Sequence, residues 1–254
     1  MEFPVVRDQF FYPIYLNELI DWQSFVVQEY VKGKKSAREV VDSLIVDIRY
    51  PWWLGQPDDS HTLNMYHGQY KWCKTVSDDF WDKASMVLGT NKVADCDGSA
   101  ITAVACLRAF GLKPEDTYVA FGVVKDASSG QILGGHAYTF ARDSSFGTSK
   151  YVLCEMTLDT PPSQYPEVGS TLDDLKKPFR YEDIIYESEW LFNDVQFMEV
   201  PSVSSDKRMI LKIAKRKKFV ENREKYEAIA KAWKIDTKPL KKFRSRLARI
   251  REKL

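Results

Sequence analysis

The feature that most constrains the fold is a change of hydrophobic period after Gly111. Three segments before it carry apolar residues at helical spacing: 37–48, 77–89 and 96–111. Three segments after it alternate with a period of two, as strands do: 117–124, 136–142 and 150–158. The turn-rich connections between these strands are short enough for antiparallel hairpins. Helices followed by a strand meander predict an α+β fold.

The ends of the helices have recognisable signals. Ser36 and Glu39 form a capping-box pattern at the start of the first helix. The second helix is expected to start at Ser77 and to stop at Gly89. The third is apolar on nearly every face and ends before Gly111, so it is predicted to be a central helix packed on one face of the sheet.

Two further segments complete the predicted layout. Residues 49–72 are rich in aromatic residues, Pro, Gly and Asp without a clear period, which is typical of a long loop beside a binding site. Two strand-like runs flank Asn193 and Asp194 and predict one more hairpin.

Charge divides the chain into a predicted catalytic domain at 1–204 and a basic helical region at 205–254. The C-terminal region holds 19 Lys and Arg against 6 Asp and Glu, and the rest holds 18 against 30. Two amphipathic helices with basic outer faces are expected in it. It is predicted to meet something anionic, which could be nucleic acid, an acidic protein or the body itself; a solvated helical face is at least an equal alternative.

The cysteines and the N-terminus indicate a compartment. The four cysteines form no C-x-x-C pair, so free thiols in a reducing environment are expected. The N-terminus lacks the basic start and apolar run of a signal peptide, and no stretch is long and apolar enough to span a bilayer. We therefore expect an intracellular, cytoplasmic protein without a membrane partner or a cofactor.

Cys96 is the first candidate catalytic residue along the chain. It lies between Asp95 and Asp97 at the start of the third helix, where the helix dipole and unpaired N–H groups favour a thiolate. Asp95 and Asp97 oppose the thiolate if they point at the sulfur, although Asp95 can instead cap this helix. Gly98 would allow a ligand to approach closely. A buried, structural cysteine is an equal alternative, because free cysteine is among the most buried residue types.

A base and an acid follow Cys96 along the chain. His136 is expected to open a strand directly after Gly134 and Gly135, a rigid place for a general base, although a lone histidine is more often a packed residue. Glu155 is expected in the middle of the next strand, where a covered charge needs a partner. Cysteine, histidine and acid together fit an activated thiol with an oriented base.

Three motifs in this order resemble those of the transglutaminase-like cysteine hydrolases and acyltransferases. The family pattern is a G-x-C-x-x-x-A helix ending in L-R-A-x-G, then H-A-W, then W-x-x-x-D-x-T. The chain has DCDGSA at 95–100 with LRAFG at 107–111, then HAY at 136–138, then YVLCEMT at 151–157. ASMVL at 84–88 resembles the preceding A-x-x-x-L element. The resemblance covers about residues 36–162 and implies a transglutaminase-like, papain-like core.

The resemblance implies roles for these residues. Cys96 would be the nucleophile, His136 the base and Glu155 the orienting acid, with Asp159 as an alternative acid because Glu stands where the family has Asp. Oxyanion donors in the family include the nucleophile's own N–H and an upstream Trp or Gln. The corresponding residues here would be Trp52, Trp53 and Gln56. The implied reaction is attack on an amide or peptide bond of a protein or peptide substrate, through a thioester that passes to water or an amine.

Two other readings of the sequence compete with this one. A metal site would need Cys73, Cys96, His136 and Cys154, whose spacing is unlike that of familiar zinc sites. A catalytically silent protein of the same fold could serve as a binding module in a larger assembly, with the basic region as the contact.

Overall fold

The computed structural model describes residues 3–7, 13–50, 81–90 and 92–201. They contain five helices and a large antiparallel sheet, which confirms the predicted α+β class. The helices are α1 (Phe25–Val31), α2 (Ala37–Asp47), α3 (Ala84–Gly89), α4 (Cys96–Phe110) and α5 (Leu172–Leu175). The strands are β1 (Val5–Arg7), β2 (Pro13–Tyr15), β3 (Thr117–Asp126), β4 (Ile132–Ala141), β5 (Tyr151–Cys154), β6 (Glu167–Gly169), β7 (Phe179–Tyr181), β8 (Ile184–Phe192) and β9 (Phe197–Glu199).

Seven of the strands form one sheet in the order β6-β5-β4-β3-β8-β7, with β9 paired to the other end of β8. Every neighbouring pair is antiparallel. The predicted hairpins β3–β4 and β4–β5 are therefore confirmed. The β8–β9 hairpin turns at Asn193 and Asp194, as expected. Strands β1 and β2 pair separately.

Local capping explains where α2 and α4 begin and end. The Ser36 hydroxyl accepts a hydrogen bond from the Glu39 N–H at 3.1 Å. The Glu39 carboxylate accepts from the Lys35 N–H rather than from Ser36, so the capping box is half formed. Gly111 ends α4 with φ +117°, a conformation that a residue without a Cβ adopts at little cost.

The α4 helix is the centre of the molecule. Residues 96–107 are all buried, and α1, α2 and α3 pack around the helix while β3 and β4 lie beneath it. The Thr139 hydroxyl on β4 donates to the Ala100 carbonyl of α4 at 3.3 Å. The prediction of a central helix packed on a sheet is confirmed.

Other expectations lie wholly or partly outside the described residues. The α3 helix begins at Ala84, after an extended Lys83 and a bridge at Trp81, and Ser77, the predicted start, lies outside the described residues. Most of the predicted loop at 49–72 and all of the basic region at 205–254 lie outside the described residues. Within the described ranges, no helix has the length and apolar character needed to cross a bilayer.

Candidate active site

Cys96 is the first residue of α4. Its side chain is 4% exposed, and its position at a helix start puts it beside the N–H groups of the first turn. Asp95 occupies the N-cap position, but its side chain makes no capping hydrogen bond, so the expected cap is wrong. A Cβ on Gly98 would lie 3.0 Å from the Ala94 Cβ and 3.5 Å from Asp82. Protein therefore fills the space that the sequence suggested for a ligand.

His136 lies inside β4 rather than at its start. The strand begins at Ile132, and Gly134 and Gly135 belong to it, so the expectation of a turn before His136 is wrong. The two glycines pair with β3, at Val124 and Val123, and this pairing keeps them in the sheet. The imidazole is fully buried, and Cys96 is near enough to help raise its pKa.

Glu155 follows the last residue of β5. The strand is shorter than expected, because it ends at Cys154 and the chain turns at 156–157. The His136 Nε2 and Glu155 Oε2 atoms are 2.8 Å apart, and both side chains are fully buried. Since Nε2 faces the carboxylate, Nδ1 is the ring nitrogen left for the Cys96 thiol. The structure thus brings Cys96, His136 and Glu155 together.

Three further hydrogen bonds hold the Glu155 carboxylate. The Thr157 N–H and hydroxyl donate to Oε1 at 3.1 and 2.7 Å. The Tyr186 hydroxyl on β8 donates to Oε2 at 3.3 Å. A buried carboxylate is stable only when such donors compensate for the loss of its hydration.

The pKa shifts of the pair agree with one another. Burial lowers the pKa of His136, but the charge of Glu155 and the hydrogen bonds to Cys96 and Glu155 raise it above the ordinary value. Burial raises the pKa of Glu155, but the charge of His136 and the hydrogen bonds from His136 and Thr157 bring it below the ordinary value. Both shifts favour a buried imidazolium–carboxylate pair.

The remaining predicted residues do not join this group. Asp159 is half-buried in the segment after the turn; burial raises its pKa, and Thr160 is its side-chain hydrogen-bond partner. Trp52, Trp53 and Gln56 lie outside the described residues.

The metal alternative is also without support in the described part of the chain. Among residues 3–7, 13–50, 81–90 and 92–201, no cluster of three or more His, Cys, Asp or Glu side chains could hold a metal ion. Cys73 lies outside these ranges, and burial raises the pKa of the Cys154 thiol well above its ordinary value.

Two residues of the site had no predicted role. Thr157 belongs to the quoted motif, and its spacing of two from Glu155 is a recognisable local signal, because Ser and Thr often bond groups two residues away. Tyr186 has no such signal: it lies 31 residues beyond Glu155 and reaches it only through the pairing of β8 with β3.

The described chain is therefore an α+β protein in which a buried histidine lies between a buried cysteine and a buried glutamate. No family model matches the chain, and no curated protein matches it. Three solved structures of LapG from Legionella pneumophila are similar to it. The first is 12% identical and covers 74% of this chain and 83% of LapG, with a TM-score of 0.40.

The other two are the EGTA-treated and calcium-bound forms of LapG. Both are 11% identical; they cover 74% and 73% of this chain and 84% of LapG in each case, with TM-scores of 0.38 and 0.37. A likeness of this degree defines neither a family nor an activity, so the chemistry is inferred from the site.

Proposed function

We propose that this chain is a transglutaminase-like cysteine hydrolase that cleaves an amide or peptide bond through a thioester. The observation that supports the proposal is the buried His136 imidazole, which lies 2.8 Å from the Glu155 carboxylate and has its pKa raised by both Glu155 and Cys96. This is the arrangement that an activated thiol with an oriented base requires.

The proposed reaction follows from the positions of these groups. Cys96 gives its proton to His136, and the thiolate sulfur attacks the carbonyl carbon of the substrate. The carbon–nitrogen bond breaks, the imidazolium protonates the leaving amine, and the acyl group stays on sulfur as a thioester. Water then loses a proton to His136, its oxygen attacks the thioester, and the proton returns to the departing thiolate. An amine in place of water would give transfer instead of hydrolysis.

Glu155 has an orienting and electrostatic role in this scheme. Its carboxylate fixes the ring through Nε2 and stabilises the imidazolium that forms in both steps. The Cys96 backbone N–H, at the start of α4, is the proposed donor to the oxyanion.

Alkylation with iodoacetamide at about pH 6 tests the nucleophile. A thiol with a pKa near 8.5 is less than about 1% ionised there, whereas one paired with an imidazolium is largely ionised. Cys106 and Cys154 are internal controls, because both are fully buried and burial raises the pKa of each. Cys73 is changed to Ser in all samples. We expect Cys96 to be labelled at least about tenfold faster than a cysteine in a small peptide.

The second candidate function is a catalytically silent binding module, favoured by the near-complete burial of the site, in which Cys96 is 4% exposed and its partners are not exposed at all. Labelling separates the two. Fast reaction at pH 6 supports the enzyme, whereas no reaction at either pH 6 or pH 9 supports the silent module. Reaction only at pH 9 indicates an ordinary thiol and contradicts the proposed activation.

A further inference from the structure

Tyr186 contacts the acid of the site from a distant strand. Its hydroxyl lies 3.3 Å from Glu155 Oε2, the same oxygen that accepts from His136 Nε2 at 2.8 Å. Thr157 occupies the other oxygen with two donors. The carboxylate is thus held by four donors from three places in the chain, and Tyr186 is the one that shares an oxygen with the imidazole.

The Glu155 carboxylate needs several donors to stay in one orientation. Its side chain has three rotatable bonds, and a carboxylate that orients an imidazole must keep one oxygen at a fixed place. Thr157 alone fixes Oε1, about which the carboxylate can still swing. A donor on Oε2 from a separate strand removes that remaining freedom.

Tyr186 is itself fixed by its surroundings. The side chain is fully buried, its ring stacks on Phe179 with centroids 5.0 Å apart and planes at 8°, and the ring of Tyr138 meets it edge-on at 5.1 Å. Its backbone pairs with Val124 on one side and Phe179 on the other. The hydroxyl therefore has little freedom to leave the carboxylate.

We propose that Tyr186 is a positioning residue that locks the Glu155 carboxylate in line with His136 and thereby maintains the imidazolium. The catalytic consequence rests on the proposed function, but the effect on the imidazole does not. Removing the hydroxyl leaves one oxygen with a single donor, so the carboxylate is less stable as an anion and less well aimed at the ring.

The experiment measures the titration of His136 by NMR of its ring nitrogens. The chain has three histidines, so a His136→Gln variant identifies the signal. Within the part of the chain that the structure describes, the groups known to face the ring are Glu155 after β5, Cys96 on α4, Tyr138 on its own strand and Tyr186 on β8. We expect Tyr186→Phe to lower the titration midpoint of His136 by about one pH unit.

Tyr138→Phe is the matched control. Tyr138 is fully buried in the same aromatic cluster, but its hydroxyl pairs with Ser188 at 3.0 Å and not with Glu155. This variant should leave the midpoint of His136 within about 0.3 units of the wild type. Equal shifts in the two variants, or no shift in Tyr186→Phe, would overturn the proposal. In a Glu155→Gln background, Tyr186→Phe should add no further shift.

The result for Tyr186 can be distinguished from the result for the proposed function. A midpoint that falls as expected in a protein without any hydrolytic activity supports the role of Tyr186 and contradicts the enzyme. If Tyr186→Phe does not fold, Thr157→Val removes a donor from Oε1 and should lower the same midpoint, by roughly half a unit or more. No shift in a folded Thr157→Val would contradict the view that these donors hold the acid for the imidazole.

Discussion

At the scale of single residues, the site is unusual in how completely protein surrounds its charges. His136 and Glu155 are both fully buried, so neither water nor salt screens their interaction appreciably. The attraction between the two charges offsets the free energy lost when they leave water only because the geometry and the added donors are good. Substitutions in the site should therefore change both the catalytic activity and the free energy of unfolding, and the two effects can be measured separately.

Cys96→Ala should abolish hydrolysis of any substrate that the parent protein cleaves, while the fold remains intact. The substitution removes one sulfur atom from a small buried side chain, so the expected loss of stability is about 1 kcal/mol. Cleavage of a peptide mixture, followed by mass spectrometry, measures the activity. Cys106→Ala is the control, because Cys106 is equally buried on the same helix but away from His136. Wild-type turnover in Cys96→Ala would show that Cys96 is not the nucleophile.

The pH dependence of stability should follow the two pKa shifts. His136 has a raised pKa, so its contribution is complete below the unfolded value of 6.5 and is lost as pH rises through the folded value. Glu155 has a lowered pKa, so its contribution is complete above 4.5 and is lost as pH falls through the folded value. The pair should therefore stabilise the fold most between these two pH values.

Chemical denaturation of the wild type and of Glu155→Gln at several pH values measures this effect. The difference in unfolding free energy should be about 3 to 5 kcal/mol inside the window and smaller on both sides of it. A difference that is constant from pH 4 to pH 9 would mean that the two groups are not an ion pair in the folded protein.

At the scale of elements, prediction from sequence worked where the signals are local. Ser36, Gly111 and the apolar pattern of α4 act within a few residues, and they define α2 and α4 correctly. The predicted strand start at His136 is wrong. Gly134 and Gly135 are typical of a turn, but their pairing with β3 places them inside the strand. Contacts that depend on register between distant strands, such as that of Tyr186, have no local signal.

Gly122 allows β3 and β8 to approach each other. A Cβ at this position would lie 1.9 Å from the Glu187 carbonyl oxygen, beside a register shift between the two strands. Gly122→Ala should therefore lower the free energy of unfolding by about 3 kcal/mol or more, because the clash can be relieved only by moving the backbone of β8.

Gly89→Ala is the matched control for this prediction. Its Cβ would meet only Val26 at 3.8 Å, an ordinary contact, so we expect a change within about 1 kcal/mol. Thermal or urea denaturation of both variants measures the difference. Equal stabilities would mean that β3 and β8 do not lie as close as the structure shows.

At the scale of the whole molecule, one cluster ties the N-terminal segment, α4 and the β8–β9 turn together. Arg108 near the end of α4 makes an ion pair with Asp194 at 2.8 Å, and the Trp22 indole N–H donates to the same carboxylate at 3.0 Å. The Arg108 guanidinium also lies 5.3 Å from the Trp22 ring. These contacts join three parts of the described chain that are far apart in sequence.

We propose that residues 205–254, which lie outside the described residues, bind an anionic partner and take no part in the chemistry. They contain no Cys or His and carry 19 basic against 6 acidic residues. Deletion of 205–254 should leave iodoacetamide labelling of Cys96 unchanged and should abolish any binding of nucleic acid or acidic protein. That binding should weaken steeply between about 50 and 200 mM salt.

Filter binding with an oligonucleotide and with an acidic peptide, each across this salt range, measures the interaction. A full-length variant with the charges of the same region reversed is the control, because it keeps the segment and changes only its charge. Unfolding of the truncated body would show that residues 205–254 belong to its core.

The four donors to Glu155 also have a consequence for synthesis of the chain. Cys96 leaves the ribosome first, followed by its base 40 residues later, the acid 19 residues after that and Tyr186 a further 31 residues on. Because domains are assembled as the chain emerges, a nascent polypeptide holds the nucleophile long before the acid is fixed. The full set of donors to the acid is therefore complete only after β8 has emerged and paired with β3.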